Sequence, residues 1–350
     1  MKISGLKGFF MQNNIINIER FRKNKKIMKY NIKPLSVELE ITNKCNQQCM
    51  HCGMAANKII GKNNWKKTEL EKLIDDLVEF GIPSISFTGG EPFLEFENMC
   101  HTINYGKDRL NVSKILTNGF WGYDAEKYLK KLIESGLLNN KFLTPCILLS
   151  IGEQKVPLEY LCNIINYIVS NTSKKQLDIT ITHIREYGEE SRIDSFIELY
   201  NSLYSSFPYD RVNITEYYYS NTRCMEVKVN NVCKKSIYEF IVNAESCFED
   251  DLYNRVTPKI LIKCSGICYS CSCFNVAKQL RLGNYFDIGL ESIVNELNTN
   301  KYVKFIEQNG LIGFKKIIPS NILYNTYVEN CCSACEFCLD YCEKNHIILD

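Results

Sequence analysis

Three cysteines with the spacing of a cluster site lie early in the chain. Cys45, Cys49 and Cys52 occur in the segment CNQQCMHC, directly after the strand-like run SVELEIT. Zinc sites favour paired C-x-x-C turns that together supply four ligands, and no second pair lies nearby in the sequence. Three thiolates on one loop suit an iron–sulfur cube with one iron left open. The spacing therefore predicts a cluster whose fourth ligand is a substrate or a cofactor.

A second segment that could contact a ligand follows the next predicted strand. FTGGEP (87–92) places Gly89 and Gly90 at the end of that strand, where glycines let the backbone come close to a bound molecule. A glycine pair at a strand end is equally often a simple turn. This segment by itself leaves both interpretations open.

The elements that must position these segments alternate between strand and helix. The run KTELEKLIDDLVEFG predicts a helix with a capping box at Thr68 and Glu71 and with Gly81 as its stop. Helices of this kind imply right-handed crossovers and a parallel sheet. Because six units are fewer than the eight of a closed barrel, we expect an α/β fold, a partial (β/α)6 TIM-like barrel with its site at the C-terminal strand ends. The predicted strands are SVELEIT (36–42), SISFT (84–88), KILTN (114–118), CILLS (146–150), ITITHI (179–184) and VNITEY (212–217).

Charge and cysteine content divide the chain into three parts. Residues 1–33 form a basic arm, with nine Lys or Arg against Glu19 alone. Residues 34–220 hold the barrel pattern. In residues 221–350 the periodicity weakens and ten cysteines appear between positions 247 and 342, which predicts a small domain held by metal centres more than by an apolar core.

The composition argues against an exported protein. The apolar cluster 6–11 is too short for a signal peptide and far too short to span a bilayer. Without export, the 18 cysteines are hard to interpret as disulfides, because cytosolic reductants keep thiols reduced. We therefore expect a cytoplasmic protein with metal or cluster chemistry, no membrane span and no nucleic-acid partner.

The two motifs together resemble the radical S-adenosylmethionine (SAM) superfamily. In that family C-x-x-x-C-x-x-C follows the first strand, and the amino and carboxylate groups of SAM bind the open iron. FTGGEP is similar to the family's glycine-rich SAM loop, and it stands here in the expected order on the next strand. The resemblance implies a [4Fe-4S] cluster held by Cys45, Cys49, Cys52 and SAM.

The resemblance also implies contacts to SAM from four strand ends. His51, before the third cysteine, would lie near the adenine. Asn118 and Ser150 end the third and fourth strands, where the family often contacts SAM, although either side chain could equally cap a turn. The glycine-rich loop would contribute Thr88, Gly89, Gly90, Glu91 and Pro92.

The cysteines of the last third resemble the SPASM or twitch domains of radical SAM enzymes, which carry auxiliary clusters. GICYSC (266–271), LGN (282–284) and CCSACEFCLDYC (331–342) carry the resemblance, but the terminal spacing is shorter than usual and no later cysteine follows. One or two auxiliary [4Fe-4S] clusters are therefore expected, with a zinc knuckle as the alternative. The implied ligands of the first are Cys247, Cys271, Cys332 and Cys335, and those of a second are Cys264, Cys268, Cys331, Cys338 and Cys342.

The layout of residues 36–340, with ISFTGGE and NGFWG (118–122), resembles that of the radical SAM peptidyl epimerases. This implies reductive cleavage of SAM, hydrogen abstraction from a ribosomally made precursor peptide, conversion of L- to D-residues, and an external electron donor of the flavodoxin or ferredoxin type. The hydrogen-donating thiol of those enzymes follows directly after the G-x-x-x-x-C cysteine. Ser272 stands there in this chain, so Cys273 is the candidate donor.

Other functions remain open at this stage. Without a donor thiol, a thioether or carbon–carbon crosslink would be favoured, and a radical SAM dehydrogenase acting on a small molecule is a further alternative. An iron–sulfur electron carrier is the alternative that is not an enzyme, and it would differ from the enzyme in that it does not cleave SAM. The basic arm, if it docks the peptide, predicts an acidic leader. His183 and Cys146 are expected to be ordinary core residues.

Overall fold

The computed structural model describes most of the barrel region and much of the C-terminal third. Nine strands of this part form one open sheet. The described residues are 17–49, 52, 64–141, 143–152, 156–185, 191–218, 235–243, 249–250, 256–257, 259–271, 277–328 and 331–349.

Six neighbouring parallel strands form the larger part of the sheet, in chain order, and the last of them is an edge strand. The predicted parallel α/β sheet is therefore confirmed, and the main difference in bounds is that the third strand begins at Asn111. These strands are β1 (Ser36–Glu40), β2 (Ser84–Thr88), β3 (Asn111–Thr117), β4 (Cys146–Ile151), β5 (Asp178–Arg185) and β6 (Val212–Tyr218).

A helix follows each of the first five strands. They are α1 (Lys67–Phe80), α2 (Phe96–Gly106), α3 (Ala125–Glu134), α4 (Leu158–Asn171) and α5 (Ile193–Tyr204). The predicted capping box at Thr68 and Glu71 is wrong. The helix starts at Lys67, so Glu69 is the residue whose carboxylate reaches back and accepts the Lys66 N–H at 2.8 Å. Gly81 ends the helix with φ of 105°, as predicted.

The two faces of the sheet differ in chemistry. On β4, Ile147, Leu149 and Ile151 are buried, and Leu149 packs beside Leu161 of α4. Because side chains alternate along a strand, the intervening residues lie on the opposite side. We call that side the inner face; it carries Glu38, Glu40, Ser86, Thr88, Lys114, Leu116, Cys146, Leu148, Ser150, Thr180 and Thr182.

The chain after residue 221 adds strands to the same sheet. β10 (Ile260–Ile262) pairs in parallel with β1, and β11 (Ile267–Tyr269) and β12 (Arg281–Asn284) continue the sheet in antiparallel order. Strands on both sides of the expected boundary at 220 therefore share one sheet. Two small ladders join β7 (Lys235–Ser236) to β13 (Tyr327–Val328) and β8 (Glu249–Asp250) to β9 (Val256–Thr257).

Five further helices follow in the described residues of the C-terminal third. They are α6 (Ile237–Asn243), α7 (Tyr285–Thr299), α8 (Lys301–Asn309), α9 (Ser320–Asn325) and α10 (Cys331–Lys344). In the part of the chain that the structure describes, no helix is long and apolar enough to cross a membrane.

The directions of β10 and β11 place Cys264 and Cys271 at opposite ends of the sheet. β10 runs parallel to β1, so the turn that holds Cys264 lies at the same sheet end as the segment after Glu40. β11 runs back in the opposite direction, and Tyr269 pairs with Leu261. Cys271, two residues beyond Tyr269, therefore lies at the other end of the sheet, level with the start of β1.

Residues 17–33 are built into the protein, so this part of the basic arm is not a solvated tail. Ile18 and Ile27 are fully buried. Ile32 exchanges two hydrogen bonds with Asn298 of α7, at 2.7 and 3.1 Å. The segment thereby connects the start of the sheet to a helix of the C-terminal third.

Several basic side chains of this segment have partners within the protein. Arg22, only 4% exposed, donates to the carbonyls of Gly81, Lys33 and Pro34. Lys29 pairs with Glu291 at 2.7 Å on the surface. These contacts fix the segment against α1 and α7.

Arg22→Ala tests how firmly this segment holds the fold. Removing the guanidinium leaves buried carbonyls without donors, so we expect the free energy of unfolding to fall by about 3 kcal/mol. Lys29→Ala is the matched control, since it removes an exposed ion pair and should change stability far less. Denaturant unfolding measures the stability of both variants. Equal losses of stability would show that Arg22 does not hold the segment in place.

Candidate cofactor site

The loop after β1 carries the three motif cysteines at the C-terminal end of the sheet. Cys45, Cys49 and Cys52 are all half-buried. The Gln47 N–H donates to Cys45 Sγ at 3.3 Å, and the Cys52 N–H donates to the Cys49 carbonyl at 3.2 Å. Burial raises the pKa of the Cys45 thiol to about 11. His51 lies outside the described residues.

The glycine-rich loop packs directly on the backbone of this cysteine loop. The Gly90 N–H donates to the Thr42 carbonyl at 2.7 Å, and the Glu91 N–H donates to the Lys44 carbonyl at 2.8 Å. A Cβ added at Gly90 would lie 2.0 Å from the Lys44 carbonyl oxygen. One at Gly89 would lie 2.4 Å from that of Thr42. These glycines therefore let the backbone of the glycine-rich loop come close to the backbone of the cysteine loop.

Glu91 connects the glycine-rich loop to the end of β3. Its carboxylate is 1% exposed and accepts hydrogen bonds from Thr117 Oγ1 at 2.7 Å and from the Asn118 N–H at 2.8 Å. The Phe93 N–H is a third donor, at 3.1 Å. Burial raises the pKa of Glu91 to about 7, although these donors act in the opposite direction. The side chain predicted to bind SAM thus contacts protein groups through both of its oxygens.

Asn118 returns from β3 to the cysteine loop. Its Nδ2 donates to Asn46 Oδ1 at 2.8 Å, and its Oδ1 accepts the Phe120 N–H at 3.0 Å. Asn118 therefore caps a turn, which is one of the two roles that the sequence left open, and it also contacts the cysteine loop. Sequence reasoning missed Asn46, because nothing in a local pattern signals a contact across 72 positions.

Ser150 and Thr182 lie on the inner face at the same height along the strands as Asn118. Ser150 is half-buried on β4 and pairs in register with Thr182 of β5, which is 8% exposed. Thr182 was missed, although its alternation with isoleucine in ITITHI could have shown that it lies on the polar side of the strand. Polar side chains thus occur at the C-terminal ends of three neighbouring strands, at Asn118, Ser150 and Thr182.

His183 lies on the side of β5 opposite to this polar row. It is 1% exposed, and its Nδ1 is 2.9 Å from Glu216 Oε1. Ser191 Oγ donates to the same oxygen at 2.6 Å. The prediction that His183 is a satisfied core residue is confirmed.

The β10–β11 turn separates two of the predicted auxiliary ligands. Cys264 Sγ–H donates to Glu40 Oε1, an inner-face carboxylate, at 2.9 Å. Cys268 Sγ–H donates to the Gly266 carbonyl at 3.3 Å, and its residue pairs with Ile262 on the buried side of the sheet. Burial raises the pKa of both thiols. The structure therefore places these two cysteines in different surroundings.

The remaining auxiliary candidates lie on other elements of the fold or outside the described residues. Cys335, Cys338 and Cys342 are buried along α10, and Cys271 is buried at the far end of the sheet. Cys247 and Cys273 fall outside the described residues, as do the side chains of Cys331 and Cys332. Within the described ranges, no three Cys, His, Asp or Glu side chains lie close enough to share a metal ion.

A comparison with known proteins identifies the central part of the chain. The profile of the Radical SAM superfamily matches residues 39–145, which contain both loops described above. The chain carries a radical SAM domain. In fold, the whole chain is similar to native anSMEcpe with bound AdoMet, with a TM-score of 0.50 over 90% of this chain and 98% of that one, at 14% identity.

Two curated relatives differ in how much of the chain they match. "Putative peptide biosynthesis protein YydG" of Bacillus subtilis (strain 168) is 22% identical over 292 residues, which are 82% of this chain and 84% of that protein. "Fe-coproporphyrin III synthase" of Methanosarcina barkeri is 38% identical over 97 residues. That match covers 28% of this chain and only 24% of the relative's length.

The donor set of the radical SAM domain fits the cofactors of the superfamily. Three thiols on one loop at the C-terminal sheet end suit a cluster with one open iron. The glycine pair holds the neighbouring loop in backbone contact with the cysteine loop, so both would border the same ligand. Ligation would draw the three thiols together, since metal sites commonly form only as the metal binds.

Gly90→Ala tests the contact between the two loops. The new methyl group would overlap the Lys44 carbonyl, so we expect a loss of about 1–3 kcal/mol in stability and a lower iron content after anaerobic reconstitution. Gly106→Ala is the matched control, because its Cβ would meet nothing closer than 3.5 Å. Thermal unfolding and iron analysis compare the two, and normal iron loading in Gly90→Ala would contradict this role.

Glu91 predicts a pH dependence of stability in the cluster-free protein. Its pKa in the folded chain, about 7, lies above its ordinary value of 4.5. The folded chain therefore keeps a proton that the unfolded chain has released, and stability should fall as the pH rises between these values, by at most about 1.4 kcal/mol per unit. Glu91→Gln should remove this slope, while the exposed Glu126→Gln should keep it. Melting temperatures measured across this pH range test the prediction. An unchanged slope in Glu91→Gln would show that Glu91 does not cause the pH dependence.

Proposed function

We propose that this chain is a radical SAM enzyme that modifies a ribosomally made precursor peptide by converting L-residues to D-residues. The observation that carries the proposal is the extent of the similarity to YydG, a protein named for peptide biosynthesis. The similarity covers 82% of this chain and 84% of that relative, and so extends well beyond the radical SAM domain. A shared domain alone would not suggest a peptide substrate.

The proposed site lies at the C-terminal ends of the parallel strands. Cys45, Cys49 and Cys52 would hold the [4Fe-4S] cluster, with SAM as its outside ligand, and the polar ends of β2 to β4 would contact SAM. When bound, these groups supply a 5′-deoxyadenosyl radical that takes a hydrogen atom from a carbon of the substrate. The chain's own task is to hold the peptide on the inner face, orient one C–H bond and exclude water.

The position of Cys271 supports inversion as the outcome. Cys271, a proposed auxiliary ligand with Cys247, Cys332 and Cys335, lies at the sheet end opposite to the motif cysteines. A peptide on the inner face would lie between the two ends. A thiol near Cys271 would then approach the peptide from the side opposite to SAM, as inversion requires. Cys273, two residues further on, is the proposed hydrogen donor.

The proposed return of hydrogen to the substrate uses one thiol hydrogen, one electron and one proton. The Cys273 S–H bond breaks and a C–H bond forms on the substrate, which leaves a thiyl radical. One electron from a flavodoxin- or ferredoxin-type donor and one proton from water restore the thiol. The acidic leader stays a prediction, and within the basic arm Arg22 and Lys29 contact carbonyls and a carboxylate of the chain itself.

The test is an anaerobic reaction in deuterated water with SAM, a reductant and the precursor peptide encoded nearest to the chain. Epimerisation should place one deuteron on a carbon of the peptide, which raises its mass by one unit without any other change. Loss of two hydrogens without deuterium uptake would instead show a crosslink or a desaturation. SAM cleavage without any change in the peptide would leave a small-molecule substrate as the better explanation.

Three variants assign the roles of the thiols. Cys45→Ala should abolish SAM cleavage. Cys273→Ala should cleave SAM and abstract hydrogen but lose at least ~90% of the deuterium incorporation, because no thiol returns the hydrogen. Cys100→Ala is the matched control, since Cys100 is buried on the helix α2 and should leave both reactions intact. Normal deuterium incorporation in Cys273→Ala would overturn its assignment as donor.

A further inference from the structure

Two leucines occupy an unusual place in the middle of the sheet. Leu116 of β3 and Leu148 of β4 pair directly in register, and both are half-buried. Neither belongs to the apolar core formed by the described residues, nor to the side chains packed against that core. They lie on the inner face, opposite to Ile115 and Ile147, which are fully buried. We call this pair the leucine band.

Polar residues border the band at both ends. Two positions further along the strands, towards the cofactor site, come Asn118 and Ser150. Two positions back come Lys114 and Cys146, which pair in register with each other. Two residues of a strand rise about 7 Å, so the apolar layer is about as deep as one aliphatic side chain.

The neighbouring strands limit the width of the band. Thr88 of β2 lies beside Leu116, and Thr180 of β5 pairs in register with Leu148. Thr180 Oγ1 accepts the Cys146 Sγ–H at 3.5 Å, which directs that hydroxyl oxygen toward the polar layer below. The band is therefore two leucines wide with polar borders, too small for a protein partner and large enough for one side chain.

The leucine band lies one layer of side chains away from the end of the sheet that carries the cofactor site. A side chain that reaches Leu116 and Leu148 from the cofactor-site end of the sheet would have its Cα near the level of Asn118 and Ser150. That level is the edge of the sheet where the cysteine loop and the glycine-rich loop meet. An occupant of the band would thus present its Cα to the proposed radical chemistry.

We propose that the leucine band binds the side chain of the target residue and selects valine, leucine or isoleucine at that position of the peptide. The inference rests on the proposed function and adds the substrate specificity of the same site. An aliphatic side chain exchanges water for apolar contacts there. A charged or amide side chain would lose part of its hydration against the two leucines, so it is disfavoured.

The first experiment varies the peptide. The position that gains deuterium in the wild-type reaction is replaced in turn by valine, leucine, alanine, asparagine and aspartate. We expect kcat/KM to be at least about tenfold higher for valine and leucine than for asparagine and aspartate. Fluorescence anisotropy of the labelled peptides, measured on cluster-free protein, gives a second readout and should rank them in the same order.

The second experiment varies the band. Leu148→Ala should lower kcat/KM for the leucine peptide about tenfold, because contacts to its side chain are lost. Leu148→Phe fills the band, so it should reject the leucine peptide while it still modifies the alanine peptide. A misfolded variant cannot produce this exchange of preference. Leu203→Ala, at an exposed leucine of α5, is the matched control and should behave as wild type.

The outcomes separate this inference from the proposed function. Equal rates for the valine and aspartate peptides, or a Leu148→Phe variant with the wild-type preference, would overturn the inference and leave peptide epimerisation standing. A wild-type target residue that is itself charged would also overturn it. If the wild-type protein modifies no peptide, both the proposed function and the inference fail.

Discussion

The buried carboxylate of Glu91 ties together the three segments on which the candidate site depends. Through its backbone it joins the glycine-rich loop to the cysteine loop, and through its side chain it joins both to the end of β3. Asn118, which is held by that carboxylate, reaches back to Asn46 in the cysteine loop. A charged or protonated carboxyl buried this deeply is costly unless every donor is in place. The position of the glycine-rich loop relative to the end of β3 is therefore tightly specified, because moving either one would leave the carboxyl without its donors.

The same requirement explains why the glycines stand where they do. The cysteine loop can lie against the next strand end only if no side chain intervenes, and a Cβ at either glycine would overlap its backbone. Backbone contact of this kind brings the ends of β1 and β2 as close as two loops can be. A cofactor that contacts one loop would then meet the other without further movement of the chain.

The rest of the protein supports β1 from its other edge. β10 pairs with β1, and residues 17–33 hold α1 and α7 against the start of the sheet. The strand that leads into the cysteine loop is thus central and paired on both edges, which suits a segment that must hold a reactive cofactor. The opposite sheet end, where β11 leads to Cys271, is reached through this same extension. Two chemically distinct ends of one sheet, with a polar inner face between them, follow from that connection.

The sequence by itself determined the features that depend on local pattern. The cysteine spacing, the glycine pair, the six parallel strands and the stop of α1 at Gly81 all follow from residues within a few positions of one another, and the structure places them as expected. The capping box of α1 was predicted wrongly, since Glu69 rather than Glu71 completes the cap once the helix begins at Lys67. Only the tertiary structure decided that β10 extends the sheet, that the glycines contact the cysteine loop, that Cys264 and Cys268 have different surroundings, and that Leu116 and Leu148 lie outside the core. The placement of the two cysteines and the two leucines depends on register and on the side of the sheet, and a shift of one residue would reverse it. Such long-range pairings carry no signature in any short stretch of sequence.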